Sequence, residues 1–103
     1  LMLITEGMEE ECMALNEITI LRSGASMIAV ETLINDNYVA TYHGDGLVVA
    51  TPTGSTAYSL SAGGPIVDND LHALVISPVA VHSLNATPMV VAKNKKIITV
   101  IKV

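Results

Sequence analysis

The sequence predicts a mainly β domain: an antiparallel two-layer sheet of the β-sandwich kind, carrying one short helix. Three observations predict it. Val (12), Ile (10) and Thr (9) make up 31 of 103 residues, and such β-branched side chains are stiff at χ1 and suit a pleated surface. Phe and Trp are absent, so the core must be aliphatic, as two facing sheets allow. Short apolar segments alternate with clusters of Gly, Asn, Asp and Pro, the punctuation of strands and turns. At this length the chain is one domain or part of one.

The elements follow in order. Leu1–Thr5 reads as a short apolar strand, and residues 7–11 as an acidic connection. Met13–Leu21 reads as a strand with Ala14, Asn16, Ile18 and Ile20 on one face. Residues 22–24 form a turn. Ser26–Ile34 alternates again, with Ile28, Val30 and Ile34 on one face. Asn35-Asp36-Asn37 is a tight turn, because Asn and Asp tolerate left-handed backbone, and Tyr38–His43 pairs back as a hairpin. Gly44-Asp45-Gly46 turns the chain again. Leu47–Thr51 is a continuous apolar run, which predicts a strand covered on both faces. Pro52 ends it. Ser55–Ala62 is the helix, capped by Thr53 or Ser55 and closed by Gly63 and Pro65. Ala73–Ser77, Met89–Ala92 and Ile97–Val103 are strands, and residues 93–96 a solvated turn. A chain that starts and stops in strand is expected to be a piece of something longer.

Charge narrows the function. The net charge is −5, with ten acids against five bases. Arg22 is the only base before Lys93. This is no footprint for nucleic acid or anionic lipid. No apolar run approaches the ~18 residues of a membrane span, and no signal-peptide pattern is present, so a cytoplasmic location is expected. One cysteine, Cys12, excludes an internal disulfide framework. His43, His72 and His82 lack zinc-ligand spacing, and the serine-hydrolase elbow is missing.

The informative stretch is residues 44–58. A buried strand delivers the chain to a hydroxyl-rich turn and then to a helix start, where backbone N–H groups are unpaired. Thr51, Thr53, Ser55 and Thr56 supply four hydroxyls, Gly54 lets a ligand approach the backbone, and Tyr58 offers a flat face for a base. Together these would cradle a nucleoside. A well-capped strand-to-helix connection would carry the same residues. The turn is not a Walker loop, since no Lys follows Gly54, and the third glycine of a dinucleotide fingerprint is lacking. Gly63-Gly64 reads as a helix stop.

Asp45-Gly46 followed by Thr51-Pro52-Thr53-Gly54-Ser55-Thr56-Ala57-Tyr58-Ser59-Leu60-Ser61-Ala62-Gly63-Gly64-Pro65 closely resembles the signature of the NAD kinases. Asn16-Glu17 resembles the family's upstream Asn-Glu motif, and residues 78–88 its following segment. The resemblance covers about residues 13–92. It implies the C-terminal, NAD-binding β domain of a longer kinase. The N-terminal Gly-Gly-Asp-Gly loop, whose Asp is taken as catalytic base, is absent from this chain. The implied reaction is phosphorylation of the 2′-hydroxyl of the NAD adenosine ribose, with ATP or polyphosphate as donor and Mg²⁺ or another divalent metal as cofactor. A homodimer or homotetramer is implied, and the fragment alone is expected to be inactive.

The resemblance also implies site roles. Asn16 and Glu17 would bond ribose hydroxyls and adenine edges; neighbours in a regular strand point apart, so both can serve one ligand only at a strand end, turn or bulge. Asp45 would address the ribose on the nicotinamide side. Thr53, Thr56, Ala57, Tyr58 and Ser61 would line the adenosine and ribose pocket, and Ala80 and His82 would border it from this or a neighbouring subunit. Two departures stand out: Thr87 replaces an Arg common before Pro88, and Val81 a proline common before His82. The alternatives are a diacylglycerol- or sphingosine-type lipid kinase, and a non-catalytic NAD-sensing or oligomerisation module.

Overall fold

Alternation in Ile28–Ile34 buries Ile28, Val30 and Thr32 on one face of a strand, and the structure is built outward from this pattern. A computed structural model describes residues 2–4, 11–82 and 86–102. Its strands are β1 (Met2–Ile4), β2 (Glu11–Met13), β3 (Glu17–Leu21), β4 (Ile28–Ile34), β5 (Asn37–Gly44), β6 (Gly46–Ala50), β7 (Ala73–Val79), β8 (Met89–Ala92) and β9 (Ile97–Lys102). They pair antiparallel in three sheets, ordered β1-β2, β3-β6-β7-β8 and β5-β4-β9.

The two larger sheets share one core. Ile28 and Val30 from β4 and Tyr42 from β5 meet Leu47 and Val49 from β6, Ile76 from β7 and Val91 from β8. The expected two-layer arrangement is therefore present. The core is not wholly aliphatic, because Tyr42 is 4% exposed; with no Phe or Trp in the chain, tyrosine supplies the one large ring. Burial pushes its phenol above the ordinary 10.0, and the nearby Tyr38 adds to this.

Every residue of β6 is buried. Its other face carries Val48 and Ala50, which pack with Val67 and Val75. The strand is thus covered on both faces, as its unbroken apolar run predicts. At about 1.5–3 kcal/mol per buried aliphatic side chain, its Leu47, Val48 and Val49 each add to the stability of the fold.

Asn35 and Asp36 form the β4–β5 turn with φ of 50° and 67°, while Asn37 joins β5. Lys96 N–H donates to Asn35 Oδ1 (2.8 Å), and Asn35 N–H donates to the Lys96 carbonyl (2.8 Å). These bonds clasp the β4–β5 turn to the turn that leads into β9. Pro78 lies within β7 but beyond Ile76, the last residue paired with β8, so its missing N–H interrupts no ladder on that side.

Three expectations need correcting. The strand expected over Met13–Leu21 breaks at residues 14–16, because the carbonyls of Leu15 and Asn16 bond Thr51 instead of a neighbouring ladder. The helix expected over Ser55–Ala62 is a 3₁₀ turn, Thr53–Thr56, followed by α1, Tyr58–Ser61, with Ala57 (φ −102°, ψ −124°) between them. Neither Thr53 nor Ser55 caps it: the N-cap positions are Pro52 and Ala57, without side-chain caps, and Gly54 N–H donates to Thr51 Oγ1 (3.1 Å), just past the end of β6. The helix stop is as expected. Gly63 takes φ +90°, and Gly63 and Gly64 N–H reach the carbonyls of Leu60 and Ser59, a Schellman closure.

Candidate functional site

β6 is the axis of the candidate site, and the expected residues gather at its two ends. The register pairs Ala50 with Glu17 and Gly46 with Leu21. The two ends are therefore about 13 Å apart at ~3.3 Å per residue. Asn16, Glu17 and Thr53 lie at one end. Asp45, Ala80 and His82 lie at the other, and α1 brings Tyr58 back toward them.

At the first end, Thr51 is the organiser. Its N–H donates to the Asn16 carbonyl (2.9 Å), and its hydroxyl contacts the carbonyls of Leu15 (2.6 Å) and Asn16 (3.1 Å). Gly54 packs directly on the Asn16 backbone, where any Cβ would collide. These contacts hold Asn16 in a bend and Glu17 as the first residue of β3. The pair thus sits at a strand end, the arrangement in which both side chains can serve one ligand. Glu17 Oε2 is buried and has no hydrogen-bond partner among the described residues. Such an oxygen is an acceptor in need of a donor.

The hydroxyl-rich turn differs from its expected role. Ser55 is fully buried; its Oγ donates to the Pro52 carbonyl (2.6 Å) and accepts from Val67 N–H (2.9 Å). Thr56 Oγ1 donates to the Thr53 carbonyl (3.3 Å). Of the four hydroxyls, Thr53 alone bonds nothing among the described residues, and it is exposed. Backbone N–H groups of Gly54, Ser55 and Ala57 are likewise taken up within the turn or by Thr51. So the turn staples the fold and is no open anion cradle, and the Gly54 approach is filled by protein. Ser59 and Ser77, both fully buried, bond each other (2.9 Å) beneath Gly64, which has no space for a Cβ.

At the second end, Asp45 bridges β5 and β6. Its N–H donates to the Val79 carbonyl (3.1 Å), and its carbonyl accepts from Arg22 N–H (2.8 Å). Its carboxylate Oδ1 meets Arg22 Nε at 2.7 Å. Arg22, which sequence reasoning did not place in the site, is held further by Nη1 on the Ala25 carbonyl (2.8 Å). A cavity of about 180 Å³ opens here, lined by Leu21, Arg22, Asp45, Tyr58 and Val79. Tyr58 is half-exposed. Beside the cavity, His82 N–H donates to the His43 carbonyl (3.0 Å), and Ala80, in left-handed backbone (φ 50°), covers Gly44.

The structure thus brings Asp45 and Tyr58 into one cavity. Asn16 and Glu17 are placed together at the far end. Thr53, Thr56 and Ser61 are exposed along the connecting segment, Ala57 is half-buried at its break, and none of these lines that cavity. A larger, shallow groove at His72, Lys93 and Asn94 holds none of the expected residues. Among the described residues no group of three His, Cys, Asp or Glu side chains could hold a metal ion, and no helix is long and apolar enough to cross a membrane.

Comparison with known proteins identifies the family of the domain. Residues 15–102 match the model of the ATP-NAD kinase C-terminal domain. NAD kinase of Flavobacterium johnsoniae is 48% identical over 93 residues, 89% of this chain and 32% of that protein. NAD kinase of Bacteroides fragilis is 54% identical over 85 residues, 82% of this chain and 29% of that protein. The chain therefore spans about a third of the curated relatives it matches. Yeast NADH kinase complexed with NADH superposes with a TM-score of 0.82 at 34% identity, over 85% of this chain and 25% of that one. An NAD kinase from Archaeoglobus fulgidus in complex with ATP gives 0.81 at 38% identity, over 86% and 36%.

Proposed function

The chain belongs to the ATP-NAD kinase family, as its C-terminal domain, and we propose that it is the NAD-binding part of an enzyme that phosphorylates the adenosine ribose 2′-hydroxyl of NAD to give NADP. The observation that carries this reading is the pairing of Asp45 with Tyr58 in one cavity beyond one end of β6, while Glu17, whose buried Oε2 lacks a partner among the described residues, stands at the other end, the two strand ends being about 13 Å apart. Two polar sites at that spacing suit a ligand with two ribose-bearing halves better than a single nucleoside. A carboxylate accepts from ribose hydroxyls, and a half-exposed tyrosine ring stacks on a base.

Phosphoryl transfer is dominated by positioning and charge stabilisation. In this proposal the domain positions the acceptor hydroxyl, with Asn16 and Glu17 on the adenosine side, Asp45 on the nicotinamide ribose with Tyr58 beside it, and Thr53, Thr56, Ala57 and Ser61 along the segment between the two ends. Ala80 and His82 close the Asp45 end. The Gly-Gly-Asp-Gly domain would supply the base that takes the hydroxyl proton, and ATP or polyphosphate the phosphoryl group. The described residues offer no metal site, so Mg²⁺ is assigned no ligand here. Exposed Val100 and Ile101 on the edge strand β9 support assembly into a homo-oligomer, and the single cysteine fits a reducing, cytoplasmic setting.

The test is a kinase assay on the full-length enzyme with NAD, ATP and Mg²⁺, read by an NADP-specific dehydrogenase. Diacylglycerol and sphingosine run alongside as competing acceptors. NADP formation that collapses in Asp45→Asn or Tyr58→Ala supports the reading. A folded full-length enzyme that makes no NADP overturns it, in favour of a lipid kinase if a lipid is phosphorylated and of a sensing module if none is.

A further inference from the structure

The structure assigns Arg22 a positioning role: it holds the Asp45 carboxylate by one oxygen, so that the other is free to accept a ribose hydroxyl. The inference rests on the NAD-binding reading of the Asp45 cavity and names a residue that this reading does not contain.

A hydrogen bond and an ion pair run between the same pair of residues. Arg22 N–H donates to the Asp45 carbonyl at 2.8 Å, and Arg22 Nε meets Asp45 Oδ1 at 2.7 Å. A further hydrogen bond, Nη1 to the Ala25 carbonyl at 2.8 Å, stops the guanidinium from swinging away. Asp45 is fixed from the other side as well, since its N–H is donated to Val79. Gly44 and Gly46 flank it where no Cβ fits, against the Ala80 and Ile20 backbones. The backbone of Asp45 is therefore rigid, and the carboxylate is oriented through Oδ1. Asp45 Oδ2 bonds nothing among the described residues. Both Arg22 and Asp45 line the cavity with Tyr58.

This pair is poorly suited to a stabilising role. Its side chains are 35% and 37% exposed, and exposed ion pairs contribute about 0–1 kcal/mol. It is well suited to binding. A pre-oriented carboxylate loses less freedom when a ligand arrives. The guanidinium also offsets a negative charge that would otherwise face the phosphates of a dinucleotide. Arg22 is the only base between residues 11 and 93, so no neighbour in sequence can replace it.

The test is a double-mutant cycle on the full-length enzyme, using Arg22→Ala, Asp45→Asn and both together, with Arg22→Lys and Arg22→Gln alongside. Arg22→Ala is expected to raise KM for NAD about tenfold, the cost of about one charge-assisted hydrogen bond. Loss of uniform binding should leave kcat within about twofold. In the Asp45→Asn background the same change should add less than about twofold, because residues acting through one another do not add. Arg22→Lys should recover part of the loss, and Arg22→Gln, which lacks the charge, should recover less. Multiplicative effects of Arg22→Ala and Asp45→Asn would overturn the inference, as would an unchanged KM in Arg22→Ala when Asp45→Asn raises it. An unchanged KM in Asp45→Asn itself would overturn the ribose reading, and the positioning role with it. Should Arg22→Ala fail to fold, the Lys and Gln variants carry the cycle, and equal KM values in both and in the wild type would sink the proposal.

Discussion

The two ends of β6 use their polar residues for opposite purposes. At the Thr51 end, hydroxyls and a glycine are consumed by the fold: Thr51 binds Leu15 and Asn16, Ser55 binds Pro52 and Val67, and Gly54 abuts Asn16. At the Asp45 end, two charged side chains stay about one-third exposed, and one carboxylate oxygen is unspent. A motif that identifies a family can therefore owe much of its composition to folding.

The sharpest way to break this contrast is Gly54→Ala. Its Cβ would enter the Asn16 backbone, and neither segment is a flexible side chain that could give way. A loss at or above the upper end of the usual ~1–3 kcal/mol for overpacking is expected, read as a lower urea midpoint of the full-length enzyme. Near-wild-type stability would show that the turn is open after all.

Thr51→Val comes next. It keeps the shape of the side chain and removes the hydroxyl that meets Leu15, Asn16 and Gly54. A loss of about 1–3 kcal/mol is expected, with a raised KM for NAD as the Asn16-Glu17 bend loosens. Asp45→Asn should behave in the opposite way: a urea midpoint equivalent to less than about 0.5 kcal/mol from wild type, since surface charges contribute little to folding, yet weakened NAD binding. If Asp45→Asn unfolds the enzyme as readily as Thr51→Val, the two ends are alike and the contrast fails.

The smallest effect concerns the core that supports both ends. Burial holds the Tyr42 phenol above its ordinary 10.0 in the folded state. The folded form thus keeps its proton when the unfolded form has lost it. That contribution is complete below the unfolded value and fades as pH rises through the folded one. Urea midpoints should decline above about pH 10, and less steeply in Tyr42→Phe.

Much of the fold was legible in the sequence because it is local. The face read as Ile28, Val30 and Ile34 is set by the period of a strand, with Thr32 buried on it as well, and the Asn35-Asp36 turn by side chains that tolerate positive φ. The unbroken run through β6 announced two covered faces. What could not be read is non-local. The break at residues 14–16 is made by Thr51, about 35 positions away. The split of the expected helix at Ala57 follows from how the turn is tied to Pro52 and Val67. Within the candidate site, Asp45 and Tyr58 were legible from the motif. Arg22 was not, since only the β3–β6 register brings it to Asp45. Its isolation as the sole base in a long acidic stretch was the one available signal.

The pairing of β4 with β9 also has a consequence for synthesis. Ile34 sits opposite Ile97, and Ala29 opposite Lys102. A ribosome adding about 5–20 residues per second needs several seconds to cover that interval. Over that time the β4–β5 hairpin, which closes in microseconds, waits with one edge unpaired. The nascent chain must keep that edge from other strands until β9 emerges, which makes a chaperone holding the hairpin, or fast codons between β5 and β9, the natural point of control over yield.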